Sequence, residues 1–415
     1  MRKGRLIIMT LQPRIAIIGG GIAGLATAYH LRKHGLESVI YEKRPEAGGR
    51  FSTLERDGVY VNRGALMFSL KLNPCFSELI HELGIDYRPI AMSRFALQLG
   101  QRLIPLDQWS IFKSRLFGLS DFWRWSRLKG LLTSLNFDFQ QPDERLLQWH
   151  SMSLLEFCRR EARFSDTLIN YFVQPFASFA YVDPEEISAD HGLFLLSYSI
   201  TPCYSAKKGM GEVARQLQGQ LSGEVRVCSR VKKVRCDDQK KFLVEVEEDG
   251  GKEGPAKWEG PYDYCILATG GRTAKSLMPD LNFEVFAPKT RGVILEATVP
   301  QYRPYDLLIF PKEGNGHGVH GGELRHHPDG RSFCGIFLYR PDGDLGAVFH
   351  QFKIIERLGW SPAITVMQPG GKLVDVTTNQ ENVFVVGDFF RFPCHESCVF
   401  TAKKVAGIIA RRIKG

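Results

Sequence analysis

One short stretch near the N-terminus constrains this chain more than any other. Residues 13–18 (Pro-Arg-Ile-Ala-Ile-Ile) are apolar and β-branched and predict a buried strand. Gly19, Gly21 and Gly24 follow at once in the pattern G-x-G-x-x-G, with Ile22 and Ala23 between the last two. Residues 25–34 then predict a helix, closed by Gly35 as its C-terminal stop, and residues 38–42 a second strand. In such a βαβ unit the first glycine allows a tight turn. The second lets backbone approach a pyrophosphate, and the third lets helix and strand pack closely. The free N–H groups and dipole of the helix N-terminus favour the anion. Glu42 ends the second strand, at the spacing of a carboxylate that accepts from ribose hydroxyls. Three glycines alone also suit a turn without ligand. Strand, helix and acid together predict a dinucleotide-binding α/β fold.

Lys43 and then Gly48-Gly49-Arg50 come directly after. A dehydrogenase that holds only a nicotinamide dinucleotide has no use for a second glycine pair here. A larger dinucleotide does, because its diphosphate and ribityl chain run past the first turn. Arg50 can then supply a fixed positive fork.

These residues together resemble the N-terminal signature of the flavin-containing amine oxidase superfamily, which includes protoporphyrinogen oxidases and phytoene desaturases. The resemblance implies a Rossmann-like FAD-binding domain of glutathione-reductase type, α/β in class, with an inserted α+β substrate domain. Gly64, Ala65, Leu66 and Met67 are similar to the stretch that passes beside the flavin ring, and Asn62 stands where many relatives carry an acid. Residues 225–234 resemble the strand whose backbone meets the adenine, with Val231 at the contact; Ala268, Thr269 and Gly270 resemble a family turn. Gly387 and Asp388 resemble the strand end whose acid holds the ribityl chain. Cys398 and Val399 open the last helix, whose N-terminus in relatives faces the flavin pyrimidine; Ala402 replaces a glycine frequent there. Cys394 and Cys398 flank His395, but the covalent pattern of monoamine oxidases is absent, so the expected cofactor is non-covalent FAD. Weaker echoes of the family lie at 174–189, 208–211 and 360–364. Thr365 and Met367 replace the proline and aromatic common in porphyrinogen enzymes, a departure from that substrate.

The expected organisation is a discontinuous FAD domain of residues 10–91, 205–285 and 365–415, with residues 92–204 and 286–364 as the substrate domain. Four of the six tryptophans (Trp109, Trp123, Trp125 and Trp149) fall in the first insert, which reads as mostly helical with Ser120 capping the helix at Asp121. Residues 247–254 read as a solvated acidic turn.

The chain has 415 residues, a net charge of +9 and nine cysteines. The dispersed basic residues accompany no nucleic-acid motif, which argues against nucleic acid as partner. The cysteines include no CxxC pair and read as reduced thiols, giving an expected cytoplasmic location. The first residues are too short an apolar run for a signal peptide, Met9 is an alternative start, and no run suffices to span a bilayer. Lys113, Arg115, Arg124, Arg127 and Lys129 mix with aromatics between residues 109 and 139. A packed helical lid with snorkelling basic side chains is favoured there over a membrane-surface helix, which keeps peripheral membrane contact as the second reading. His317, His320, His326 and His327, with Glu323, read as a mobile glycine-rich hairpin tip in preference to a metal site. No Ser-His-Asp set or carboxylate pair stands out, as expected when a cofactor carries the chemistry. No catalytic residue is assigned; Lys289 is the nearest approach to the lysine some amine oxidases place by the flavin.

The expected activity is oxidation or desaturation of a hydrophobic or aromatic small molecule, with O2 or a quinone as acceptor. An amine oxidase of a soluble amine, a redox-neutral flavin isomerase and a non-catalytic binding protein are the alternatives.

Overall fold

The computed structural model describes residues 12–221, 225–248, 256–282, 284–360 and 363–414. Met9 and residues 249–254 of the acidic turn lie outside them, as do residues 361 and 362. Five parallel strands carry the glycine turn: across the sheet they run Val383–Val385, Tyr264–Leu267, Ile15–Ile18, Val39–Tyr41 and Val225–Arg226. A parallel sheet is covered on both faces, so its central strands read as unbroken apolar runs. Ile15–Ile18 and Tyr264–Leu267 are buried at every position. On one face helix Ile22–Lys33 packs on the last helix, His395–Lys414, through a core that holds Leu25, Leu31, Val405 and Ile409. On the other lies a three-stranded antiparallel sheet of Ser229–Cys236, Phe242–Glu248 and Lys257–Tyr262, whose Val234, Val244 and Tyr262 meet Ala16 and Leu267.

The second sheet has seven strands, in the order Phe352–Trp360, Thr290–Ala297, Ser332–Leu338, Val319–His326, Leu307–Ile309, Phe95–Leu99 and Arg102–Pro105. Leu307–Ile309 pairs in parallel with Phe95–Leu99; every other pairing in this sheet is antiparallel. Between residues 108 and 197 lies a set of helices around a separate core rich in phenylalanine, including Phe157, Phe172, Phe176, Phe194 and Phe392.

Three expectations change here. Residues 225–234 are not one strand. Cys228 adopts φ 52°, which takes the chain out of the parallel sheet after Arg226 and into the antiparallel one at Ser229. The first insert is mostly helical, as expected, and adds Phe95–Leu99 and Arg102–Pro105 as an edge of the large sheet. The helix at Asp121 begins at Leu119, and the Asp121 carboxylate accepts from the Gly118 N–H at 3.2 Å, so Ser120 is not its cap. The histidine-rich segment is no mobile tip: Val319–His326 is an inner strand of the large sheet. Its glycines are there because neighbouring backbone presses on them. A Cβ on Gly321 would stand 2.1 Å from the Leu308 carbonyl oxygen, and one on Gly322 1.8 Å from that of Gly335.

Candidate functional site

A cavity of about 430 Å³ runs between the parallel sheet and the large sheet. At one end is the glycine turn. Gly48 N–H donates to the Gly20 carbonyl at 2.7 Å, which holds the second glycine pair against the first. The three motif glycines differ in what they do. A Cβ on Gly24 would lie 2.0 Å from the Gly19 carbonyl oxygen, so this position serves helix–strand contact. A Cβ on Gly21 would meet nothing within 4 Å, since this residue opens onto the cavity. Helix Ile22–Lys33 has no side-chain cap and no acid in its first turn, which leaves its N–H groups for an anion.

Glu42 is buried at the next strand end, where its two oxygens accept from Gly20 N–H at 2.7 Å and Arg44 N–H at 2.9 Å. A carboxylate has about four acceptor sites, so capacity remains for sugar hydroxyls. Val231 and Arg230 line the wall beside it, and the Thr269 hydroxyl is buried there without a partner. An orphaned hydroxyl and an open glycine are what a bound dinucleotide would complete. The residues present therefore fit such a group.

Further along, Asp388 and Arg50 pair at 2.6 Å. Arg50 also donates to the Ala363 carbonyl at 2.8 Å, and Asp388 accepts from Thr365 N–H at 3.0 Å. Burial pushes the Asp388 carboxyl up, but the Arg50 guanidinium outweighs it and the net shift is downward. Asp388 is thus charged and partly engaged, with Oδ1 meeting the Thr365 hydroxyl at 3.3 Å. Cys398 and Cys394 line the same region, and burial pushes both thiols up, away from the reactive thiolate.

The other end is aromatic. Phe176, Phe179, Tyr181 and Phe337 line it with Leu66 and Met67. Tyr181 sits at φ 61°, unusual for a bulky residue and characteristic of functional sites. His320 projects among Phe179, Tyr181 and Tyr339, with ring centroids 5.5, 6.4 and 5.0 Å away. Neither of its ring nitrogens has a hydrogen-bond partner of ordinary geometry, though the Pro175 carbonyl bears on it. Burial lowers its pKa to about 4, so the ring is neutral.

The cavity brings together Gly19, Gly21, Ile22, Ala23, Glu42, Lys43, Gly49, Arg50, Gly64, Ala65, Leu66, Met67, Val231, Ala268, Thr269, Gly387, Asp388 and Cys398. Gly24 and Val399 are not in its wall. Gly24 packs behind the turn, and Val399 lies in the core beneath the parallel sheet. Lys289 is exposed and outside the cavity, and Lys43 is the sole lysine among its described lining residues. Asn62 is buried elsewhere, donating to Glu323 at 3.0 Å and accepting from Met210 N–H at 2.7 Å. Glu323 is therefore a structural partner, His326 bonds Ser332 and the Tyr305 carbonyl, and no metal-ligating group of side chains occurs among the described residues. Tyr181, His320, Phe337 and Trp360 were missed by sequence reasoning. Trp360, stacked under Arg44 at 4.4 Å, and Tyr181 lay within motif echoes, and His320 within the histidine cluster weighed as a metal site; Phe337 had no local pattern to mark it.

A family model described as flavin containing amine oxidoreductase matches residues 22–293, two thirds of the sequence and most of the cavity's nucleotide end. The chain belongs to that family. This flavin enzyme is 28% identical over 185 residues to the mitochondrial protoporphyrinogen oxidase of Nicotiana tabacum, a match over 43% of this chain and 34% of that protein. The matched segments span about a third or less of the first curated relatives' own lengths. In overall fold it is similar to cyclohexylamine oxidase from Brevibacterium oxydans (TM-score 0.69, 16% identity, 98% of this chain and 100% of that one). It is also similar to a CLA-producing fatty acid isomerase from P. acnes (TM-score 0.70, 14% identity, 95% and 98%). That family is one of flavin-dependent oxidoreductases.

Proposed function

We propose that this enzyme holds FAD without a covalent link and oxidises or desaturates a largely apolar or aromatic molecule that carries one hydrogen-bonding group. The observation that carries the reading is the cavity's polarity. Its lining carboxylates, Glu42 and Asp388, both belong to the dinucleotide end, while the far end offers aromatic rings and one neutral histidine. In this assignment Gly21 and the first helical turn receive the diphosphate, Glu42 the adenosine ribose and Val231 the adenine. Gly387 and Asp388 receive the ribityl chain, and Gly64 to Met67 flank the ring system. A bound flavin supplies the two-electron acceptor. The chain's own residues orient the substrate, exclude water with the aromatic wall, and present His320 as its hydrogen-bond partner.

A soluble amine fits less well. A cationic substrate would find no carboxylate at the aromatic end among its described lining residues, and only ring faces to meet its charge. The redox-neutral reading draws support from the fold shared with the fatty acid isomerase and keeps the same apolar substrate class. The final electron acceptor is O2 or a quinone. All nine cysteines are unpaired, which supports a reducing, cytoplasmic compartment.

The deciding experiment is anaerobic bleaching of the bound flavin by host-cell extract split into lipophilic and polar fractions. Bleaching by the lipophilic fraction is expected. Bleaching by the polar fraction alone overturns the substrate class. If neither fraction bleaches a flavin that dithionite reduces, the redox-neutral reading replaces oxidation.

A further inference from the structure

Two helices outside the cavity are packed along one side only. Helix Gln108–Ser114 and helix Leu119–Ser134 leave Trp109 73%, Phe112 50%, Leu119 81% and Trp123 61% exposed. These are four of the nine large apolar side chains exposed among the described residues. On the first helix Trp109 and Phe112 are three residues apart and share a face; on the second, Leu119, Phe122 and Trp123 do the same. The Phe112 and Phe122 rings meet edge to face at 5.4 Å, which joins the two stripes into one surface. A contiguous apolar patch that costs solvation on a monomer marks something that covers it.

Charge says what that is. Residues 108–134 contain five basic side chains (Lys113, Arg115, Arg124, Arg127 and Lys129) and one acid, Asp121. Asp121 is buried and paired with Arg124 at 3.3 Å, and it accepts from the Ser165 hydroxyl. Lys113, Arg115, Arg127 and Lys129 are exposed. The Arg127 guanidinium lies 4.9 Å over the Trp123 ring, so cation and aromatic stand side by side. Exposed tryptophans ringed by Lys and Arg are the chemistry of a membrane interface, where indole rests at headgroup level and the cations meet anionic lipid. No described helix is long and apolar enough to cross a bilayer, so the contact is with its surface.

We propose that this aromatic and basic surface docks the enzyme on an anionic lipid bilayer. It sits against the substrate end of the cavity. Leu106 and Leu116, at either end of the first helix, pack on the cluster that holds Phe95, Leu66, Met67 and Phe179, all cavity residues. From the second helix Trp125 touches Phe172 at 4.4 Å, Phe172 touches Phe176 at 5.1 Å, and Phe176 lines the cavity. Docking through this surface brings the aromatic end close to the acyl region, where an apolar substrate partitions. The docking itself rests on the surface alone; its use for substrate entry rests on the proposed substrate class.

The test is co-sedimentation of the flavin-loaded protein with vesicles of phosphatidylcholine, with and without phosphatidylglycerol. Binding to the phosphatidylglycerol vesicles is expected, weakening as salt is raised. Trp109→Ser with Trp123→Ser should weaken it by about tenfold or more, and Lys113→Glu with Arg127→Glu should abolish the preference for anionic lipid. Both pairs are exposed, and unchanged flavin content shows that the variants are folded. Should a tryptophan variant lose flavin, Leu119→Ser carries the same test. Failure to bind anionic vesicles at low salt overturns the proposal, as does binding that ignores the tryptophans. Self-association lost in the same variants, without lipid binding, also overturns it and assigns the patch to a second copy of the chain. None of these outcomes depends on which fraction bleaches the flavin, so docking and substrate class fail separately.

Discussion

The two ends of the cavity are built by opposite means. The dinucleotide end is mostly backbone and strand ends: the glycines, helix N-terminus and Glu42 of one βαβ unit, joined by Thr269, Gly387 and Asp388 from the ends of neighbouring strands. The aromatic end is side chain: Phe176 and Tyr181 from the helical insert, His320 and Phe337 from neighbouring strands of the large sheet, Met67 from a loop. Backbone recognition tolerates little change in sequence, because a Cβ in the wrong place collides with a carbonyl. A wall of side chains can be repacked with almost any ring. The same fold occurs in proteins named for a porphyrinogen, an amine and a fatty acid, as expected where function resides in the site and not in the fold.

The largest effect should come from breaking the backbone end without disturbing the fold. Gly21→Asp places a carboxylate into open space at the helix N-terminus, where the diphosphate belongs. The expected result is loss of bound flavin, at least about a hundredfold in affinity, with helix content unchanged by circular dichroism. Gly24→Val is the contrast: its side chain meets the Gly19 carbonyl, so stability falls as well. If Gly21→Asp purifies with full flavin, the diphosphate does not lie at this turn.

Asp388→Ala comes next. It removes the ribityl acceptor and strands Arg50, which keeps only the Ala363 carbonyl. Removing one partner of a buried pair costs roughly 3 kcal/mol, reduced to the extent that water reaches the partly accessible Arg50 side chain. Flavin content and thermal midpoint should fall together. A variant with normal flavin and an unchanged midpoint would show that the pair matters to neither.

How far the molecule could be read beforehand follows the same division. Strand Ile15–Ile18, helix Ile22–Lys33 and the glycine roles were legible because each is written in consecutive residues. The split at Cys228 was not, since a lone positive φ at a cysteine leaves no compositional trace. The strand Val319–His326 was misread as a mobile tip because glycines forced by cross-strand crowding look the same as glycines of a loop. His320 was weighed as a metal ligand for its three histidine neighbours in sequence. Its neighbours in space are aromatic rings from elsewhere in the chain.

One histidine ties helix Ala189–Ser197 to the C-terminal part of the chain, at Pro393 of the cavity wall, and carries a pH dependence. His191, on helix Ala189–Ser197, donates from Nε2 to the Pro393 carbonyl at 3.2 Å and accepts at Nδ1 from Met367 N–H at 3.3 Å. That arrangement needs a neutral ring, and burial lowers its pKa to about 4. The unfolded chain binds a proton near 6.5, so it takes up more protons than the folded one between those values. Stability from His191 is complete above about pH 6.5 and is lost as pH falls through 4, about 3 kcal/mol in all. Glu396 acts in the opposite sense. Burial raises its carboxyl to about 7 despite N–H bonds from Cys75 and Phe76, so its contribution falls as pH rises from 4.5. The difference between wild type and His191→Asn isolates the histidine: denaturant midpoints of the variant should decline less between pH 6.5 and 4. Parallel declines would mean that the ring is not held neutral.

The smallest expected effect is the most informative about chemistry. His320→Phe leaves the backbone end untouched, so flavin content should match the wild type. It also removes two unpartnered buried nitrogens from an aromatic wall, and apolar replacement of orphaned polar groups is close to neutral or mildly stabilising. His320 lines the cavity where a hydrogen-bonding group of a bound molecule would meet it. Binding of 1-naphthol, followed by perturbation of the flavin spectrum, should weaken about five- to tenfold in the variant, the worth of one hydrogen bond. Naphthalene, which has the same rings and no hydroxyl, should bind the two proteins alike. If both probes change together, His320 acts through packing, and the aromatic end discriminates by shape alone. If only the hydroxylated probe changes, the side-chain end of the cavity has one point of polar recognition, and the substrate has a hydroxyl or carbonyl to meet it.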